Sequence, residues 1–129
     1  MTHINGKALT TYQVDAGGEA FRLNFEGADG QPISLTLPSD CLRALLMTLP
    51  QLTAQALRAK YRDDTLKVVY PVGKWSLQVA SDGVHRILTL STPDGFEVSF
   101  ALQDDDAGSL AASLREHPHA STVHLPKMN

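Results

Sequence analysis

The feature that most constrains this chain is its likeness to itself. Shifted by 65 positions, residues 10–49 align without a gap on residues 75–114, and eleven of the forty pairs are identical. Among them are Gly18/Gly83, Leu23/Leu88, Asp29/Asp94, Gly30/Gly95, Leu37/Leu102 and Leu49/Leu114. Average composition would give roughly two or three matches by chance. The matched residues are of the kinds that occupy cores and turns. The spacing is too long for a solenoid repeat, so the expectation is an internal duplication in which two like halves share one globule.

Each half reads as strands followed by a helix. In the second half Trp75, Leu77 and Val79 alternate with Lys74, Ser76 and Gln78, the period of a strand with one apolar face. Asp82-Gly83 and Pro93-Asp94-Gly95 supply turns. Val98, Phe100 and Leu102 then alternate again and are expected to point inward with Phe96, and Asp104, Asp105 and Asp106 open a helix running to about Glu116. In the first half, strands are expected over about 9–15, 19–26 and 32–37. Ser39 or Asp40 is expected to cap the helix that follows. Leu42, Leu45, Leu46, Leu49 and Leu52 form one stripe along it. Pro50 lies within that stripe and should kink or break the helix. Residues 66–72 are expected to add a strand before Trp75.

The fold class predicted is α+β: two tandem β3-4α repeats, an internal duplication at offset 65, forming antiparallel sheet with helices packed on one face. A single domain is expected over 1–116. It comprises repeat one at about 10–49, a connecting helical segment at about 50–65, and repeat two at about 75–114. Residues 117–129 read as a flexible C-terminal tail.

The single cysteine, Cys41, excludes an intrachain disulfide and suits a reducing compartment. No apolar run exceeds the four residues of 44–47, and no secretory signal is legible in the first residues. The expectation is a cytoplasmic protein without a membrane partner.

Chemistry-bearing motifs are sparse. Asp104-Asp105-Asp106 lacks the spaced acidic positions of a calcium loop and reads as charge placed at a helix N-terminus. His117, His119 and His124 have neither cysteine nor fixed carboxylate partners. No phosphate loop, dinucleotide fingerprint or nucleophile elbow is present. No catalytic, cofactor or metal residue is therefore assigned, and no cofactor is expected. The residues point to a small non-enzymatic binding or assembly protein acting through self-association or a protein partner; an enzyme whose site is not visible in the sequence is a third reading. Arg22, Asn24, Ser34, Thr36, Gln78, Thr89 and Ser99 should share a polar, sparsely charged sheet face able to dock one.

Two β4α repeats on antiparallel sheet resemble the layout of the Whirly and PUR single-stranded nucleic-acid-binding proteins. Gly6-Lys7-Ala8-Leu9 is similar to part of the Whirly KGKAAL strand. That resemblance implies an alternative, single-stranded nucleic-acid binding, with Lys7, Arg22, Lys67 and Lys74 as candidate backbone contacts. Such binders need a positive groove and stacking aromatics. This chain has a net charge of −3 and is 6% aromatic.

Overall fold

The computed structural model describes residues 1–116 together with Val123 and Leu125. The predicted tail, with His117, His119 and His124, lies otherwise outside the described residues. The chain divides into two compact units, Met1–Ala56 and Leu57–Asn129.

The first unit holds β1 (Gly6–Val14), β2 (Ala20–Gly27) and β3 (Pro32–Pro38), an antiparallel sheet in the order β1-β2-β3. Cross-strand partners share a face. Val14, Phe21 and Leu37 lie abreast, as do Tyr12, Leu23 and Leu35, and Leu9, Phe25 and Ile33. One face is thus wholly apolar. Thr11, Asn24 and Ser34 lie abreast on the other face, beside Gln13, Arg22 and Thr36. The register slips between Leu9 and Thr11, and this keeps Leu9 on the apolar side despite the odd spacing.

The second unit holds β4 (Lys74–Val79), β5 (Arg86–Ser91) and β6 (Glu97–Leu102), again antiparallel in the order β4-β5-β6. Its apolar face carries Trp75, Leu90 and Val98, then Leu77, Leu88 and Phe100. The β5–β6 pairs run from Arg86↔Leu102 to Ser91↔Glu97, and the β2–β3 pairs from Phe21↔Leu37 to Glu26↔Pro32, so each partner differs by 65. The turns correspond too. Gly30 and Gly95 both take positive φ, 83° and 99°, which a β-carbon would oppose.

Helix α1 spans Cys41–Tyr61 and α2 spans Asp104–Arg115. Both start near the expected places, but α1 corrects one expectation. It continues through Pro50 without a break, so residues 50–61, expected as a connecting helical segment, are helical and continuous with residues 41–49. Pro50 removes one N–H from the helix ladder, while the Thr53 hydroxyl donates to the Leu49 carbonyl at 2.8 Å. Ser39 does not cap the helix through its side chain. Its hydroxyl donates to the Gly18 carbonyl at 2.6 Å and its N–H to the Glu19 carbonyl at 2.8 Å, fastening the start of α1 to the β1–β2 turn.

Two further expectations are corrected. Residues 66–72 form no strand: only Leu66 makes an isolated bridge, and it is buried at 6% exposure. Each unit therefore has three strands. Trp75, Phe96 and Phe100 are not core residues of the chain alone, and Trp75 is 69% exposed. The only buried apolar side chains among the described residues are Phe21 and Leu66, and neither helix buries a residue.

Candidate functional site

Strand alternation places the apolar side chains of each unit on one face, and many of them are exposed. In the first unit Leu9, Tyr12, Val14 and Leu35 are exposed; in the second Trp75, Leu77, Val79 and Phe100 are. Along α1, Leu42, Leu46, Leu49 and Leu52 are exposed as well. Large contiguous apolar patches of this kind mark interaction surfaces.

The second unit adds a concave feature. Residues 70–72 form a strap, its path fixed where the Gly73 N–H donates to the Ser91 carbonyl at 2.7 Å. Tyr70, Val72, Leu90, Phe96, Val98 and Phe100 line a groove of about 190 Å³, and the Tyr70 and Phe96 rings stand 5.6 Å apart at a 52° tilt. The groove is apolar and has no converging titratable groups.

Several side chains of the polar faces pair across strands. Asn24 donates to Thr11 at 2.9 Å and accepts from Ser34 at 2.7 Å, while Thr89 and Ser99 hydrogen-bond at 2.7 Å at the corresponding positions of the second sheet. Cross-strand bonds of this type tie neighbouring strands within each sheet.

The four candidate cations fall in different places. Lys7 stands at the irregular start of β1, its Nζ 3.9 Å from Glu26. Arg22 lies on the polar face of the first sheet and its Nε is 3.4 Å from the Thr36 hydroxyl. Lys74 begins β4 on the polar face of the second sheet, and Lys67 is exposed outside any strand or helix. Within the second unit, Lys74 and Trp75 are adjacent in sequence and point to opposite faces.

One electrostatic device escaped sequence reading. At the β4–β5 turn, Asp82 accepts from the backbone N–H of Val84 at 2.8 Å and of His85 at 3.0 Å, and His85 Nδ1 lies 2.6 Å from its second oxygen. Donation from the His85 N–H, the Val84 N–H and then the His85 ring lowers the Asp82 pKa from 3.8 to about 2. The arrangement is a turn lock, legible as Asp-Gly but not as a contact with the histidine three residues on. Among the described residues no group of three or more His, Cys, Asp or Glu gathers as a metal site, and no helix is long and apolar enough to cross a membrane.

No family model matches the chain, and neither a curated protein nor a solved structure does.

Proposed function

We propose that this is a small non-enzymatic assembly protein of the cytoplasm that acts as a homo-oligomer, built from two tandem β3α repeats that arose by internal duplication. The observation that carries the reading is the exposure of many apolar side chains on both sheets and along α1. Fully burying one such side chain contributes about 1.5–3 kcal/mol. A dozen of them left half exposed forgo on the order of 10 kcal/mol, comparable to the whole net stability of a domain. A chain of this kind gains more from association than from anything it does alone. The β2–β3 and β5–β6 registers, alike at offset 65, support the duplication. The lone cysteine supports the compartment.

The surface used differs from the one expected of the sequence. On the polar faces Asn24, Ser34, Thr89 and Ser99 are engaged in cross-strand hydrogen bonds, whereas many apolar side chains of both sheets are exposed among the described residues. Sedimentation equilibrium over a hundredfold concentration range tests the reading. Mass rising to a defined multiple supports it, and a monomer at every concentration refutes it.

Single-stranded nucleic-acid binding is a second reading, favoured by the exposure of Tyr12 and Trp75. It needs stacking rings beside cations, and in the second unit Trp75 and Lys74 stand on opposite faces. Quenching of the single tryptophan by oligothymidylate, weakening steeply with salt, would establish it over the first reading.

A further inference from the structure

We propose that Asn5-Gly6 is a self-modification site, where the Gly6 backbone nitrogen closes on the Asn5 side chain and converts it, with loss of ammonia, to aspartate and its β-linked isomer; this is independent of the self-association reading. Closure needs a side-chain carbonyl carbon, an uncrowded backbone nitrogen next to it, and free rotation about the bond between the Asn5 α-carbon and its carbonyl carbon. Glycine supplies the least crowded nitrogen. Gly6 begins β1 and pairs with Gly27, and the Ala28 N–H donates to the Asn5 carbonyl at 2.9 Å. In an antiparallel ladder such a bond flanks a non-hydrogen-bonded pair, so the Gly6 N–H points away from β2. β1 is an edge strand, and no neighbouring strand of the sheet takes that N–H.

The rotation leaves the sheet intact. It swings the Asn5 side chain and residues 1–4, while the peptide plane holding the Asn5 carbonyl and the Gly6 nitrogen stays bonded to Ala28. Residues 1–4 are exposed and lie in no strand or helix. The Asp-Gly pairs are held instead. Asp29-Gly30, Asp82-Gly83 and Asp94-Gly95 each lie between two paired strands, and their glycine N–H groups donate to the carbonyls of Gly27, Ala80 and Thr92 at 2.9, 2.9 and 3.1 Å. Their carboxylates are engaged too: Asp29 by the Gln31 N–H, Asp82 by the Val84 and His85 N–H groups, and Asp94 by the Thr92 hydroxyl. Asn24 is bonded to Thr11 and Ser34 and is followed by Phe25.

In the first step the bond between the Gly6 nitrogen and Asn5 Cγ forms and the Cγ–Nδ2 bond breaks. The Gly6 amide proton leaves with the side-chain nitrogen as ammonia. Water then opens the cyclic imide at either carbonyl, and no oxidant or cofactor enters. A hollow of about 340 Å³, lined by His3, Asn5, Asp29 and Gln31 among others, admits that water. The new carboxylate shares the hollow with that of Asp29, and the β-linked isomer adds a carbon to the main chain where β1 begins.

The test is incubation of the purified full-length chain in mildly alkaline buffer, native and in urea, followed by peptide mapping. The native chain should gain an acidic form with one negative charge more than its net −3, carrying the amide-to-acid mass change at Asn5. Its native rate should lie within about threefold of the rate in urea, because the rotation needs only local freedom. Isomerisation at the three Asp-Gly pairs should be about tenfold or more slower in the native chain than in urea, because a charge-assisted hydrogen bond must break first. Gly6→Ala should keep the fold, since a β-carbon there meets nothing within 4 Å. It should slow the conversion about tenfold or more. Asn5→Gln should abolish the acidic form, and decides the matter if circular dichroism shows Gly6→Ala to be misfolded. A native chain whose Asn5 stays intact while the urea-unfolded chain converts overturns the proposal. An acidic form that persists in Asn5→Gln, or that maps to Asn24, overturns it as well.

Discussion

Asp82 shows how much a single exposed carboxylate can organise. It holds the β4–β5 turn through two backbone N–H groups and the His85 ring, and its pKa falls to about 2 as a result. A carboxyl whose pKa is lower in the fold than in the open chain stabilises the fold above its ordinary value of 3.8 and loses that contribution as pH drops toward about 2. Urea unfolding of Asp82→Asn and the wild type should therefore diverge above about pH 4 and converge as pH approaches about 2. A difference that persists unchanged at the acid end would contradict the turn lock. The turn itself was legible, because Asp-Gly chemistry is local. Trp75 was not, because alternation tells which face a residue shares but not whether anything covers that face. At 69% exposure, Trp75→Ala should cost the dissociated chain about 1 kcal/mol or less, against the 3–5 kcal/mol of a core aromatic. Chemical denaturation at dilute concentration measures it.

Strands and turns were readable element by element, since period-two alternation and Asp-Gly pairs act within a few residues. The β3 and β6 boundaries at Pro32–Pro38 and Glu97–Leu102 follow directly from that pattern. Two elements defeated local rules. Pro50 breaks the helix by propensity, yet the leucine periodicity runs past it on both sides and α1 continues to Tyr61. Residues 66–72 are apolar enough for a strand, but only Leu66 makes a bridge, and residues 70–72 instead form the strap beside the groove. Pro50→Ala restores a donor to the helix ladder and should stabilise the folded chain by about 1–3 kcal/mol. Thermal unfolding followed at the helical signal checks this. No gain, or a loss, would mean that a distortion at Pro50 is itself required.

At the scale of the molecule, the sequence patterning is that of a well-covered protein, while many of its large apolar side chains are exposed among the described residues. The candidate site was visible in the sequence only as core: Tyr12, Leu77 and Phe100 carry the signature of buried residues, and no single-chain pattern distinguishes burial by one's own helix from burial by another copy. The polar faces, expected as the docking surface, are tied internally through Asn24, Ser34, Thr89 and Ser99. Light scattering on the purified chain tests self-association through the apolar side chains. The expected mass is twice that of the chain, or a higher even multiple, persisting to micromolar dilution or below. A monomer at millimolar concentration would contradict it.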